Sequence, residues 1–146
     1  MSSNPYAHHS ANAAQNTFYQ ALADADIEAL MSVWVNDDAV LCILPSGERL
    51  VGQDAIRETH EDVFTQGPVR VSYQELQSFE TGTVSVHHVL EQFEIEGHPE
   101  LPNKFLAYAT NVFLRTPGGW QLMLHHSSQA AGEVELPAIL QPDHLH

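Results

Sequence analysis

The chain of 146 residues is 43% apolar and 16% charged, which suits one globular domain with a core and excludes a disordered chain. Its 19 acidic and 5 basic residues leave a formal charge of −14, which repels phosphate backbones and anionic lipid, so neither nucleic acid nor membrane is an expected partner. Cys42 is the single cysteine, so no internal disulfide forms. No apolar run approaches the roughly 20 residues of a membrane span, and no signal peptide is visible, so a cytoplasmic location is expected.

Residues 1–10 read as a flexible leader rich in Ser, Asn and His. Helical periodicity begins at Ala11, where Ala14, Phe18, Ala21, Leu22 and Ala25 form one apolar stripe and Tyr19 flanks it. Asp24-Ala25-Asp26 breaks this helix. Asp26 caps a second one, from Ile27 to about Val35, whose inner side carries Leu30, Met31 and Trp34. Trp34 suits either the core or a pocket wall. Ala39 to Leu44 reads as a buried strand, Pro45 to Glu48 as a hairpin loop and Arg49 to Val51 as the return strand. A third helix spans Gln53 to about Gln66, with Ile56, His60, Val63 and Phe64 on one face, and Gly67-Pro68 stops it.

The remainder is β. Val69–Phe79 and Thr83–Ile95 are strands around a Thr81-Gly82 turn, and a loop follows from Glu96 to Pro102. Two long strands then run from Lys104 to Ser128 around Thr116-Pro117-Gly118-Gly119. A three-residue loop is expected there, with Gly119 in a left-handed position and Thr116 paired with Trp120. That register sets Phe113 beside Met123, Asn111 beside His125 and Ala109 beside Ser127 on one face. Leu114 with Leu122 and Val112 with Leu124 lie on the other. Both faces are largely apolar, so one should cover the helices and the other a partner or the tail, residues 130–146.

Asn111 and His125 are polar groups on a face lined by Phe113, Ala109 and Met123, the pattern of a small-molecule site. His125 and His126 point to opposite sides of the sheet. His87 and Glu91 share a face but stand roughly 13 Å apart along their strand, too far to ligate one metal. No H-E-x-x-H helix, G-x-S-x-G elbow, phosphate loop or dinucleotide motif occurs, so no metal and no cofactor is expected. Acid/base work by a histidine in a dry pocket is left, with Glu91 or Tyr19 assisting if they face inward.

The segments DADIEALMSVW, DDAVLCILPSGERLVGQDAI and ATNVFLRTPGGWQLMLHHSS resemble the SnoaL-like, ketosteroid isomerase-like branch of the nuclear transport factor 2-like superfamily, over roughly residues 11–129. The resemblance implies an α+β cone: three N-terminal helices packed on a curved, mainly antiparallel sheet, a pocket between them, and a homodimer through the sheet's outer face. Isomerase-type members carry a carboxylate on the strand after the second helix. Here that strand reads Val40-Leu41-Cys42-Ile43-Leu44, without an acid, and His125 only loosely matches the histidine of the cyclase-like members.

The expected protein is thus a homodimer with a pocket for a small, mostly apolar, oxygenated molecule. If it is a cofactor-independent isomerase, cyclase or dehydratase, His125 is expected to move the proton and Asn111 to orient a carbonyl. Asn111, Trp34, Tyr19, Phe113, Met123 and His60 are expected to line the substrate. The alternative is a non-catalytic ligand-binding or assembly module of the same fold.

Overall fold

A computed structural model describes residues 8–94 and 103–131. Most of the leader, most of the tail and the loop after the fourth strand lie outside these residues. The element order is α1 (Ala11–Asp24), α2 (Ile27–Ser32), β1 (Leu41–Ile43), β2 (Arg49–Val51), α3 (Gln53–Phe64), β3 (Arg70–Glu80), β4 (Val84–Glu94), β5 (Lys104–Thr116) and β6 (Gly119–Gln129). The six strands form one curved sheet in the order β2-β1-β6-β5-β4-β3. All neighbours are antiparallel except β1 and β6, which run parallel. Among the described residues no helix is long and apolar enough to cross a membrane.

Local chemistry sets the helix ends. The Ser10 side chain accepts from the Ala13 N–H at 3.0 Å, and the Asp26 carboxylate accepts from Ala29 N–H at 3.1 Å, each satisfying a donor that the first turn leaves free. Helix α2 is shorter than its periodicity suggests and ends at Ser32. Beyond it Trp34 bridges to Leu122, and the Leu122 N–H donates to the Val33 carbonyl at 2.6 Å. Pairing with β6 replaces the helix's last turn there, so Trp34 enters the core from extended backbone.

The β5–β6 hairpin departs from the expected register near its turn. Thr116 pairs with Gly119 around a two-residue Pro117-Gly118 loop, so Trp120 pairs with Arg115 and Phe113 with Leu122. A bulge at Met123 then restores Val112 opposite Leu124 and Asn111 opposite His125. The Thr116 hydroxyl holds the loop by donating to the Gly119 carbonyl at 2.8 Å while accepting from Gly118 N–H at 3.1 Å. The expected Phe113–Met123 and Leu114–Leu122 pairs are therefore not formed. Met123 is the extra residue of the bulge and is half-buried, and Leu122 takes its place against Phe113.

His8, within the segment read as a leader, fixes this end of the hairpin. It bridges Gly119, and its carbonyl accepts from Trp120 N–H at 2.9 Å. Gly119 has φ 106°, and a Cβ there would stand 2.5 Å from the His8 oxygen. Gly119→Ala is expected to destabilise the fold by about 1–3 kcal/mol through backbone strain and this clash, read by chemical denaturation. An unchanged midpoint would mean that His8 does not pack on the turn.

Strand alternation places the core. Ser85, His87, Val89, Glu91 and Phe93 of β4, Ala107, Ala109, Asn111 and Phe113 of β5, and Trp120, Leu122, His125 and Ser127 of β6 are all buried. Phe18, Leu30, Trp34 and Ile56 close over them from the helical side. Four of the inward sheet positions are ionisable or amide groups in an otherwise apolar layer: His87, Glu91, Asn111 and His125.

Candidate functional site

Helix α1 lies over the inner sheet face so that, one turn apart, Gln15 reaches β3 and β5 and Tyr19 reaches β4 and β5. The Tyr19 hydroxyl donates to Glu91 Oε2 at 2.7 Å, and the Ser127 hydroxyl donates to Glu91 Oε1 at 2.5 Å. Asn111 Nδ2 donates to the Tyr19 oxygen at 3.2 Å and to Gln15 Oε1 at 3.0 Å. His125 Nδ1 meets Asn111 Oδ1 at 2.6 Å, and its Nε2 stands 3.9 Å from Glu91 Oε2. Four elements, α1, β4, β5 and β6, thus meet in one network around the Glu91 carboxyl.

Glu91 has no exposed surface. Burial raises its pKa to about 7, and the Ser127 and Tyr19 hydrogen bonds offset only part of that rise. Burial likewise pushes His125 down to about 3, helped by the neighbouring His60 and His126, so the imidazole is neutral at physiological pH. The 3.9 Å approach of His125 to Glu91 is accordingly not an ion pair. Tyr19 is held well above its usual range by burial and then by the charge of Glu91, so its hydroxyl keeps its proton. Cys42, across from His125 on β1, is buried and its thiol is pushed far up, which leaves it no nucleophile.

A second polar chain adjoins the first. His87, the β4 residue opposite Asn111, sets Nε2 against the Ser85 hydroxyl at 2.8 Å and Nδ1 against the Glu75 carboxylate. Gln15 Nε2 donates to the same Glu75 oxygen at 3.4 Å and so links the two chains.

The structure brings together only some of the residues expected to line a site. Asn111, Tyr19 and His125 share one network. Phe113 packs edge-on to His87, with ring centres 5.3 Å apart. Trp34 is buried against Phe18, and its Nε1 has no hydrogen-bond partner among the described residues. His60 donates from Nδ1 to the Ile56 carbonyl of its own helix at 2.8 Å and has no hydrogen bond to the network, and Met123 sits in the bulge. The role expected of His125, moving a proton, suits a group poised near neutrality; burial has made it a weak base, and Glu91 is the group so poised. Gln15 and Ser127 have no expected role in the site, and Glu91 is expected only to assist. The inward alternation Ser85, His87, Val89, Glu91 was the available signal for the carboxyl. Gln15 is one polar residue in a helix stripe, and nothing local marked it.

A cleft of about 670 Å³ opens between α1, the start of α2 and β3, within the size range of small-molecule sites. Asn16, Tyr19, Gln20, Asp24, Ser72 and Tyr73 line it. Tyr73 stacks on Tyr19 with ring centres 4.2 Å apart and donates to Asn16 Oδ1. Tyr19 therefore has one side in the cleft and its hydroxyl on Glu91. Among the described residues no group of three or more His, Cys, Asp or Glu side chains is placed to hold a metal.

Helices covering one face of a curved six-stranded sheet, with a polar cluster on that face, define an α+β domain of the nuclear transport factor 2-like superfamily. The chain belongs to the SnoaL-like domain family, whose sequence profile matches residues 11–132. It is 28% identical to a candidate calcium/calmodulin-dependent protein kinase type II association domain from Thiobacillus denitrificans, with a TM-score of 0.73, over 84% of this chain and 96% of that one. It is 27% identical to a candidate dehydratase of the NTF2-like family from Streptomyces avermitilis, with a TM-score of 0.71, over 83% and 94% of the two chains. A ketosteroid isomerase-like protein from Erwinia carotovora atroseptica, 19% identical with a TM-score of 0.62 over 83% and 94%, shares the fold. The F-box protein SKIP8 of Arabidopsis thaliana is 26% identical over 119 residues, which are 76% of this chain and 46% of that protein, so the chain spans about half the length of this curated relative.

Proposed function

We propose that the domain binds a small, mostly apolar, oxygenated molecule and moves a proton on it without a cofactor, with Glu91 as the proton-transfer group. The carrying observation is the fully buried Glu91 carboxyl, raised to about 7 and held by Tyr19 and Ser127. A carboxyl poised there accepts a proton from carbon next to a carbonyl at neutral pH. Tyr19 keeps its proton and is suited to donate to the oxygen on which negative charge develops. The cleft supplies an approach, because Tyr19 both lines it and touches Glu91. The likeness to a candidate dehydratase agrees with this reaction class.

A second reading, a non-catalytic ligand-binding or assembly module, is favoured by one observation: Tyr19, Glu91 and Asn111 already satisfy one another. The likeness to a candidate kinase association domain agrees with it. Incubation with a panel of cyclic ketones in deuterated water separates the two. The proton-transfer reading expects deuterium uptake at the α-carbon, rising with pH through about 7 as Glu91 ionises. Ketones that bind without uptake would establish the second reading.

The same proposal places a homodimer on the outer sheet face, where Phe79 is 67% and Tyr108 38% exposed. Native mass spectrometry of Phe79→Glu is expected to show monomer where the unaltered chain shows dimer. A monomeric unaltered chain would remove the dimer from the account.

A further inference from the structure

The hydrogen bonds around Asn111 can be drawn in two directions, and Gln15 decides between them. In one arrangement Asn111 Nδ2 faces Tyr19 and Gln15 while Oδ1 faces His125. His125 Nδ1 must then carry the proton, and Nε2 presents a bare lone pair to Glu91. In the other arrangement the amide is turned over. Tyr19 then donates to Asn111 Oδ1, Nδ2 donates to His125 Nδ1, and the proton of His125 sits on Nε2, facing Glu91. Heavy-atom positions alone are the same in both, so only the donor and acceptor character of the neighbours separates them.

Gln15 supplies that separation. Its oxygen stands 3.0 Å from the Asn111 amide nitrogen, so turning Asn111 over would set two carbonyl oxygens against each other. Gln15 cannot turn over in compensation. Its nitrogen donates to Glu75 Oε1 at 3.4 Å, and a carboxylate offers that position nothing but an acceptor. Glu75 is the outermost member, with about a third of its side chain exposed, and it is also held by His87. Gln15 itself is 2% exposed, so water does not replace its contacts.

We propose that Gln15, anchored by Glu75, is a positioning residue: through the Asn111 amide it fixes His125 in the Nδ1–H form and turns the bare Nε2 toward Glu91. The sequence of donors is Glu75 ← Gln15 ← Asn111 ← His125, with Asn111 also donating to Tyr19 and Tyr19 to Glu91. Each step is directional, and the two branches end on the carboxylates of Glu75 and Glu91. Glu91 then accepts from Tyr19 and Ser127 while Nε2 opposes Oε2 with a second lone pair. At 3.9 Å the two atoms are beyond hydrogen-bond reach, and an ionised Glu91 faces no N–H from His125. Gln15 thereby keeps an imidazole donor from facing Glu91 although it does not touch it.

This inference rests on the proposed proton-transfer reading for its use, but its test needs neither ligand nor turnover. Long-range proton–nitrogen correlation spectra of the uniformly nitrogen-labelled protein report which imidazole nitrogen carries hydrogen. In the unaltered chain His125 is expected to be Nδ1–H. Gln15→Leu removes the opposing carbonyl and is expected to erase a preference of roughly tenfold, the worth of about one net hydrogen bond, so that Nε2–H appears. Gln15→Glu keeps an acceptor beside Asn111 and is expected to retain Nδ1–H, a rescue that a role in packing alone does not predict. Nε2–H or an even mixture in the unaltered chain overturns the proposal, as does an undiminished Nδ1–H preference in Gln15→Leu. Should Gln15→Leu fail to fold, Gln15→Met, which also removes the carbonyl beside Asn111, gives the same reading. Loss of ketone exchange with this tautomer intact would count against the function and leave the positioning role standing.

Discussion

At pH 8 the Glu91→Gln variant is expected to be more stable than the unaltered protein and inactive in ketone exchange. The stability gain follows from linkage. Glu91 titrates near 4.5 in the unfolded chain and at about 7 in the fold, so between those values the folded state holds the extra proton. Stability contributed by the neutral carboxyl is therefore full below pH 4.5 and lost as pH rises to about 7, a loss of about 3 kcal/mol. A glutamine carries no such penalty. Its oxygen can accept from Tyr19, and its nitrogen can donate to the Ser127 hydroxyl, so the network remains satisfied. Denaturant melts should show the difference between the two proteins shrinking toward zero at pH 4.5, and exchange should fall by about 10²–10⁴. A stability difference between the two proteins that is the same at pH 4.5 and pH 8 would mean that Glu91 is not desolvated.

His125 acts in the opposite direction. Its pKa falls from 6.5 to about 3 on folding, so the unfolded chain takes up a proton first and stability falls as pH drops through that window. Between about pH 4.5 and 6.5 the two slopes oppose each other, so stability is level there, falls below that window through His125 and drops slightly above it through Glu91; Glu91→Gln should instead gain stability up to about pH 6.5 and stay level beyond.

Phe18→Ala should be the most damaging single truncation on the helical side, costing about 3–5 kcal/mol in denaturant unfolding. Phe18 is 2% exposed and touches three site walls at once: Tyr19 edge-on at 5.0 Å, Trp34 edge-on at 6.3 Å and the His125 ring at 4.8 Å between centres. Its removal leaves a cavity between helix and sheet that the neighbouring rings cannot close without leaving their partners. The same cavity would admit water to His125 and raise its pKa back toward 6.5. A cost under about 1 kcal/mol would mean that α1 collapses onto the sheet and that the packing over the site is not rigid.

Much of this architecture was legible in the residues. The apolar stripe of α1 and the Asp26 cap fall where the sequence places them, and period-two alternation alone sets Asn111 beside His125. What escaped has physical causes. A two-residue loop and a bulge at Met123 together mimic a three-residue loop once the strand is past Val112, so the difference is confined to Phe113 through Thr116 and their partners. Trp34 left its helix because a β-bridge to Leu122 outweighed local periodicity. The hydrogen bond from Tyr19 to Glu91 joins residues 72 apart, and that from Asn111 to Gln15 joins residues 96 apart. Glu91 is legible as an acid sharing a strand face with His87, but which face turns inward, and the burial under α1 that raises its pKa, are quantities that no local pattern carries. His125 stands out in the sequence as a polar group on an apolar strand face, and the same burial that makes it part of the site removes its basicity.

The most direct measurement is a carbon-13 titration of the Glu91 side-chain carboxyl. The account predicts a midpoint near pH 7, shifted by Ser127→Ala and by Tyr19→Phe, whose hydroxyls favour the ionised form and whose loss moves the midpoint upward. A midpoint at or below 4.5 would show a solvated carboxylate with no proton to exchange at neutral pH, and the proposed function would fall with it.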